Sequence, residues 1–265
     1  MLSVTRDNGV ALVTIDNPPV NLFDLALYPA MVRVSDDLAA DDSVRAVVLA
    51  SANPDFFIAH FDVSLILTLP RDMGAPRTLS DFDRMCENFR TMSKPTIAAI
   101  DGRVGGGGSE LTLACDMRFA SPRAVFSQPE VALGILPGGG GTVRLPRLVG
   151  RNRALEVVLG CEDIDARTAE SWGWVNRVVD DPFAHAMMLA RRIAAFPPAA
   201  VREAKESVLR ADTGVEEALL AESAGFNRLL GDPRAQSAMT NFLARGGQTR
   251  EGELRLGELA TELGD

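Results

Sequence analysis

Apolar and polar positions alternate at the start of the chain as they do in β-strands. Val10 to Ile15 has this strand pattern, and the Asn8-Gly9 pair before it is typical of a tight hairpin turn. Asp16 to Asn21 contains two adjacent prolines and is predicted to be a stiff loop. Leu25 to Ala40 then has the apolar spacing of a helix, and Val44 to Ala50 is an unbroken aliphatic run suited to a buried strand. Two strands and a loop therefore open the chain. The strand Val10 to Ile15, the helix and the strand Val44 to Ala50 together form a strand, helix, strand unit.

The later part of the chain has mostly helical spacing. Leu65 to Ser80 has prolines, a glycine and no clean period, which predicts a mobile loop that either borders a binding pocket or simply lies on the surface. Asp81 to Ser93 has the spacing of an amphipathic helix. Further helices are predicted at Asn152–Leu159, Ala199–Arg210, Val215–Leu230, Pro233–Arg245 and Glu251–Leu263. Few strand formers follow residue 200, so the chain is predicted to divide into a core, 1–200, and a helical region, 201–265.

The centre of the chain carries the candidate chemistry. Thr96 to Ile100 is predicted to be a buried strand, and the glycines Gly105 to Gly108 follow it before an apolar segment that opens a helix. Backbone N–H groups at such a turn are unpaired, and the missing Cβ atoms let an oxygen ligand approach closely. The site therefore suits an anion or a developing oxyanion, and Glu110 lies just past it.

A second glycine turn follows about thirty residues later along the chain. Glu130 precedes the run Pro137 to Thr142, which contains four consecutive glycines and again leads into a predicted helix. A glutamate in a first helical turn is ordinarily explained by the helix dipole, so neither acid alone indicates a site. The repeated arrangement of glycines and glutamate is the stronger signal.

Composition and charge narrow the class of protein. The 265 residues, 46% of them hydrophobic, can fill one substantial core, and we expect one large domain with or without an appendage. A formal charge of −9 disfavours nucleic acid as a partner. No apolar run reaches membrane-spanning length and the N-terminus has no signal pattern, so we expect a cytoplasmic protein without a membrane partner. Three widely spaced cysteines predict buried free thiols and no metal site: Cys86, Cys115 and Cys161.

Other enzyme classes fit the glycines less well. A dinucleotide-binding G-x-G-x-x-G motif fails because its last glycine falls on Glu110, Leu111 or Val143. A P-loop fails because no lysine follows the glycines. A hydrolase could pair a serine, Ser64 or Ser109, with His60, but no nucleophile motif surrounds them and His60 is predicted to be structural or to line a pocket.

The two glycine segments together resemble a known family. GRVGGGGSELTLACD, followed by FSQPEVALGILPGGGGTVRLPRLVG, is similar to the enoyl-CoA hydratase/isomerase family, also called crotonases. The resemblance implies an α/β fold with a spiral core of repeated β-β-α turns and a C-terminal helical appendage that packs subunits into trimers or hexamers. It also implies a helix at Ala166–Trp172 and a strand at Trp174–Val179. The implied activity is an enoyl-CoA hydratase, with an enoyl-CoA isomerase or an altered acyl-CoA-binding member as alternatives.

The resemblance also assigns roles to residues. It gives water activation to Glu110 and proton delivery to Glu130, an order that the residues alone leave open. The thioester oxygen would be held by the N–H groups of Phe61 and Gly107, and loss of one such donor costs about 3 kcal/mol. Coenzyme A is part of the substrate, so no separate cofactor is expected. Predicted substrate or coenzyme A contacts are Pro19, Val20, Ala59, Phe61, Asp62, Val63, Gly106, Gly138 and Phe242, the last near a neighbouring subunit's site.

The sequence departs from the family pattern at three places. His60-Phe61 stands where small residues are usual, and Pro19-Val20 where a basic residue is common. Gly246 to Gln248 replaces a segment rich in lysine and arginine. If the N–H of Phe61 keeps its donor geometry, the ring either points into the core or occupies acyl space, and we expect it to occupy acyl space.

Overall fold

The computed structural model describes residues 2–72 and 74–262. In chain order its strands are β1 (Leu2–Asp7), β2 (Val10–Ile15), β3 (Ala46–Ser51), β4 (Phe56–Ile58), β5 (Thr96–Ile100), β6 (Arg103–Gly105), β7 (Met117–Ala120), β8 (Val125–Ser127), β9 (Ile164–Asp165) and β10 (Arg177–Val178). Its helices up to residue 172 are α1 (Leu27–Ala40), α2 (Val63–Ile66), α3 (Asp81–Thr91), α4 (Gly106–Ala114), a 3₁₀ turn (Glu130–Leu133), α5 (Gly141–Val149), α6 (Arg151–Gly160) and α7 (Ala166–Trp172). The later helices are α8 (Pro182–Ala194), α9 (Pro198–Leu209), α10 (Val215–Leu230), α11 (Pro233–Ala244), α12 (Arg250–Leu254) and α13 (Leu256–Thr261).

The strands form two sheets, a larger and a smaller one. The larger sheet has the order β1-β2-β3-β5-β7-β10 and the smaller has the order β4-β6-β8-β9. The pairs β1/β2 and β8/β9 are antiparallel, and the other neighbours are parallel. Each of the pairs β3/β4, β5/β6 and β7/β8 gives one strand to each sheet before a helical segment follows. This is the spiral of β-β-α turns, so the predicted α/β fold class is confirmed.

The larger sheet is covered on both faces. One face packs on the main core, which includes Leu49, Phe57 and Trp174. The other face, including Val48 and Ile97, packs against buried alanines of α8. Burial on both faces explains why β3 and β5 are continuous apolar runs without polar alternation.

Several predicted elements are confirmed and others need correction. The hairpin, the strand β5 and the helix α7 lie where the sequence placed them. The predicted helix Leu25–Ala40 begins at Leu27, because Asp24 Oδ1 accepts the N–H groups of Ala26 and Leu27. The strand predicted at Trp174–Val179 shrinks to β10, since the N–H groups of Trp174 and Val175 donate to Ala169 O near the end of α7 and not to β7. No prediction was made for α8, although Asp181 caps it and Pro182 opens it.

The C-terminal part is helical, as predicted. The division predicted at residue 200 falls inside α9, and the predicted helix Glu251–Leu263 is two short helices, α12 and α13, with Leu263 outside the described residues. The loop predicted at Leu65–Ser80, of which Met73 is not described, has irregular structure after α2. All three cysteines are buried free thiols, as expected. No helix in the described ranges is long and apolar enough to cross a membrane.

Candidate active site

The first glycine segment is the opening turn of α4 and not a loop before it, which corrects the prediction. Gly106 has a φ of +44°, and a Cβ atom there would lie 2.9 Å from His60 Cβ and 3.0 Å from Glu130 Oε1. A Cβ atom at Gly108 would lie 2.4 Å from the carbonyl oxygen of Ile58 in β4. The glycines therefore let the N-terminus of α4 pack directly against β4 and beside Glu130.

The two predicted oxyanion donors, the N–H groups of Phe61 and Gly107, lie on neighbouring segments: a Cβ atom at Gly107 would be 3.5 Å from Phe61 Cβ. Phe61 forms an isolated parallel β-bridge with Phe23. The two hydrogen bonds of this bridge are made by the residues on either side of Phe61: the N–H of Phe23 donates to His60 O at 3.0 Å, and the N–H of Asp62 donates to Phe23 O at 3.1 Å. The N–H of Phe61 consequently faces away from Phe23. Gly107 lies in the first turn of α4, where N–H groups have no partner in the helix. Within residues 2–72 and 74–262 neither N–H has a hydrogen-bond acceptor.

Glu110 lies on the next turn of α4 and is held by the second glycine segment. Its Oε1 accepts the N–H groups of Gly139 at 2.8 Å and Gly141 at 2.9 Å. Its Oε2 accepts no hydrogen bond from the described residues, and the side chain is 4% exposed. Burial raises the pKa of Glu110 to about 7, while the two N–H donors act in the opposite direction. Glu110 is thus a fixed carboxyl group with one oxygen open to a ligand.

Glu130 opens the 3₁₀ turn and is also buried. Burial, followed by the charge of Glu110, raises its pKa well above the ordinary value. The side chain of Gln128 lies between Ser109 and Glu130; in the orientation that satisfies both, it donates to Glu130 Oε2 at 3.1 Å and accepts from Ser109 Oγ at 3.2 Å. The two glutamates predicted from the sequence are therefore brought together, in different surroundings.

A third buried carboxyl group, Glu222 of α10, was missed by the sequence analysis. Its Oε2 accepts the N–H of Gly140 at 2.5 Å, and its Oε1 accepts the N–H of Thr142 at 2.7 Å and the hydroxyl of Thr142. Burial, followed by the charge of Glu110, raises its pKa to about 8. The available signal was its position on the apolar stripe of α10, between buried Leu219 and Gly225.

Aromatic rings close the space around the two N–H groups. A Cβ atom at Gly107 would lie 3.4–3.6 Å from atoms of Phe82, Phe61 and Phe23. Phe61 packs edge-on against Tyr28 and Phe82, with ring centroids 5.2 and 6.2 Å apart. A Cβ at Gly139 would lie 2.3 Å from Phe82 and 2.7 Å from Glu110 Oε2. Phe82 therefore lies next to the open oxygen of Glu110, and any acyl group placed there meets an aromatic wall.

The other predicted contact residues differ in exposure. Val20, Ala59 and Val63 are 0%, 3% and 1% exposed, so all three are core residues in the single chain. Asp62 caps α2 by accepting the N–H of Ser64 at 2.9 Å. Among the other predicted contacts, Pro19 is exposed.

The two remaining predicted contacts face the C-terminal helices. Gly138 packs under Phe226 of α10, where a Cβ atom would meet the ring at 2.8 Å. Phe242 is 1% exposed, and its ring centroid is 5.7 Å from that of His60. It is packed in the core of its own chain, because His60 and Gly247 enclose it. Its place near a neighbouring subunit's site stays a prediction.

The two sheets and the spiral of β-β-α turns give the chain a crotonase fold. The family model for enoyl-CoA hydratase/isomerase matches residues 5–249, so the chain belongs to that family. The short-chain-enoyl-CoA hydratase of Clostridium acetobutylicum is 33% identical over 91% of this chain and 93% of its own length. The fatty acid oxidation complex subunit alpha of Shewanella baltica is 39% identical over 66% of this chain, a match that spans 25% of that protein.

Solved structures agree with this family. A Streptomyces avermitilis protein provisionally named an enoyl-CoA hydratase superposes with a TM-score of 0.89 at 38% identity, covering 99% of this chain and 98% of its own. An enoyl-CoA hydratase from Mycobacterium avium subsp. paratuberculosis superposes with a TM-score of 0.81 at 27% identity, covering 92% and 96% of the two chains.

Proposed function

We propose that the protein is an enoyl-CoA hydratase that adds water across the 2,3 double bond of an acyl-CoA thioester. The observation that carries the proposal is the difference between two neighbouring buried carboxyl groups, Glu110 and Glu130. Glu110 is oriented by two backbone N–H donors and has one oxygen without a hydrogen-bond partner among the described residues, whereas burial and the charge of Glu110 raise the pKa of Glu130. Hydration needs one ionised and one protonated acid, and unequal surroundings provide that pair.

The chemistry assigns one role to each group. The Glu110 carboxylate accepts a proton from water through Oε2 while the water oxygen bonds to Cβ. Electron density moves onto the thioester oxygen, where the N–H groups of Phe61 and Gly107 stabilise the enolate-like charge. Protonated Glu130 then gives its proton to Cα, so that the substrate gains one hydroxyl group and one hydrogen. The dipole of α4 adds to the stabilisation at Gly107.

The size of the acyl group is limited by the aromatic wall. Phe61, Phe82 and Tyr28 are half-buried and occupy the space beside Gly107 and Glu110. We propose that short, compact enoyl thioesters are the preferred substrates. The name of the Clostridium relative, a short-chain-enoyl-CoA hydratase, supports the same proposal.

Isomerisation of the double bond is the second candidate. It moves a proton within the substrate, which a single acid can do, and it leaves Glu110 without a role. The open Oε2 of Glu110 favours hydration, because a water molecule bound there can be deprotonated as it attacks.

Two variants test the roles of the acids. With trans-2-butenoyl-CoA as substrate, Glu110→Gln and Glu130→Gln should each lower kcat at least about a hundredfold while the circular dichroism spectrum and Tm stay close to wild type. Near wild-type turnover in either folded variant would remove that residue from the mechanism. Tight binding of the thioester by a wild-type protein that does not turn it over would favour the acyl-CoA-binding alternative.

We also propose a cytoplasmic trimer, or a dimer of trimers. The helix α9 supports the assembly, because none of its residues is buried in the single chain. Several of these residues are apolar, and Val208 is 74% exposed. A second copy of the chain packed on α9 would cover this face, and sedimentation equilibrium measures the assembly directly.

A further inference from the structure

The C-terminal tail, Gly246 to Glu262, is attached to the loop that carries Phe61. His60 Nε2 lies 2.9 Å from Glu253 Oε1 of α12, and both side chains are almost completely buried. The family model's match ends at residue 249, so Glu253 lies beyond the part of the chain that the family model describes. The two residues are 193 positions apart in the sequence, and their contact is made only by the folding of the tail.

Both ring nitrogens of His60 face acceptors. Nε2 faces the Glu253 carboxylate, and Nδ1 lies 2.8 Å from the carbonyl oxygen of Phe61. The carbonyl oxygen of Phe61 cannot donate. Burial raises the pKa of Glu253, but the charge and hydrogen bond of His60 outweigh it and the net direction is downward, so Glu253 accepts as a carboxylate. Both nitrogens then carry hydrogen and the ring is an imidazolium. Burial alone lowers the pKa of His60, but the charge and hydrogen bond of Glu253 outweigh it and the net direction is upward. The imidazolium therefore links the tail directly to the peptide unit that follows Phe61.

Three further contacts join the same tail to the same loop. Gln248 Oε1 accepts the N–H of Val63 at 2.6 Å, and Gln248 Nε2 donates to Asp62 Oδ1 at 2.9 Å. The backbone N–H of Gln248 in turn donates to Glu253 Oε1 at 2.6 Å. At the other end of the loop, Arg250 Nη2 lies 2.6 Å from Asp55 Oδ2. The tail thus contacts the segment Asp55 to Val63 on both sides of β4, at Asp55 before the strand and at residues 60–63 after it.

We infer that the tail Gly246–Glu262 is a strap that holds the N–H of Phe61 in the orientation needed at the thioester oxygen, with His60 and Glu253 as positioning residues. The catalytic consequence of this inference rests on the proposed role of Phe61. An oxyanion donor acts through a fixed position, and a small misplacement lowers the rate strongly. Removing one member of a buried ion pair leaves the other charge unpaired, so the loop would have to shift to solvate it.

The test compares two glutamates of the same tail. Glu253→Gln removes the buried charge, whereas Glu262→Gln removes a carboxylate whose partners among the described residues are Arg245 and Arg255, away from the loop. In Glu253→Gln, amide hydrogen exchange of residues 56–63 should become at least about tenfold faster, and kcat with trans-2-butenoyl-CoA should fall about tenfold to a hundredfold with little change in KM. Glu262→Gln should change neither quantity.

Two more variants test the same inference if Glu253→Gln folds poorly. Gln248→Ala leaves the buried charge pair in place and removes the contacts to Val63 and Asp62, so it should produce the same changes at smaller size. The double variant His60→Gln, Glu253→Gln removes both charges and should restore part of the kcat that Glu253→Gln alone loses.

The outcomes separate the strap from the proposed function. Unchanged amide exchange in folded Glu253→Gln and Gln248→Ala would overturn the strap whatever the activity. Faster exchange with unchanged kcat would overturn its role in positioning the Phe61 N–H. If the wild-type protein hydrates no enoyl thioester, the proposed function fails, and the exchange data alone then decide whether the tail holds the loop.

Discussion

The two glycine segments have similar sequences, but the structure uses their N–H groups in opposite ways. At the first, the N–H of Gly107 has no acceptor in the described part of the chain and is left for a ligand. At the second, the N–H groups of Gly139 and Gly141 are taken by Glu110, and those of Gly140 and Thr142 by Glu222. One segment can bind developing charge on the substrate, while the other fixes the carboxyl group that acts on water.

This difference shows what a glycine-rich turn does and does not indicate. Missing side chains expose backbone donors in both segments, and the donors are used wherever an acceptor comes within reach. At the second segment the acceptors come from α4 and α10, elements that precede and follow it in the chain. The function of each turn is therefore set by its tertiary neighbours.

The largest expected effect is at the first segment, where the donor itself can be removed. Gly107→Pro deletes the N–H in the first turn of a helix, a position at which proline is tolerated, and should lower kcat by about a hundredfold to a thousandfold. Gly107→Ala is the matched control, because it keeps the N–H and its Cβ would meet its nearest neighbour, Phe82, at 3.4 Å. Steady-state kinetics of both variants checks the prediction; equal losses in the two would mean that space, and not the donor, matters there.

A smaller effect is expected from the side chain of the other donor. Phe61→Ala keeps the second N–H and removes the ring that packs against Tyr28 and Phe82. The ratio of kcat/KM for a six-carbon to a four-carbon enoyl thioester should rise about tenfold or more, because one methylene in an apolar pocket is worth about 1 to 3 kcal/mol. A uniform loss on both substrates would show that the ring supports the loop and does not select the acyl chain.

The smallest effect is expected at the second segment. Burial and the charge of Glu110 raise the pKa of Glu222 to about 8, so Glu222 is protonated while Glu110, whose pKa is about 7, titrates. The general base must be ionised, so kcat/KM of the wild type should rise with pH through about 7. Glu222→Gln replaces a neutral carboxyl group by a neutral amide, so the midpoint of this rise should stay close to the wild-type value, as it should in Glu217→Gln on the exposed face of the same helix. A midpoint that moves to lower pH in Glu222→Gln would show that Glu222 carries a negative charge when Glu110 ionises.

The sequence predicted the features that are coded locally. Asn8-Gly9 identified the hairpin, the aliphatic run of β3 identified a buried strand, and the spacing of glycines and glutamates located Glu110 and Glu130. The strands of the second sheet are only two or three residues long and were not predicted individually, because so short a run carries no period.

The missed features depend on contacts between distant parts of the chain. Glu222 meets the glycine turn across 80 positions, and Glu253 meets His60 across 193. No local pattern specifies such a partner, although a glutamate on the apolar stripe of a helix indicates that one is needed. The packing of Phe242 against His60 was not predicted for the same reason, since it depends on the path of the tail.

The most direct test of the proposed hydration is to measure whether the atoms of water are incorporated into the product. The protein is incubated with trans-2-butenoyl-CoA, once in H₂¹⁸O and once in D₂O, and the product is analysed by mass spectrometry. We expect a 3-hydroxybutanoyl thioester with one ¹⁸O at C3 in the first medium and one carbon-bound deuterium at C2 in the second. Both labels should disappear with Glu110→Gln. A product without ¹⁸O, or one whose double bond has moved, would contradict hydration by the paired glutamates.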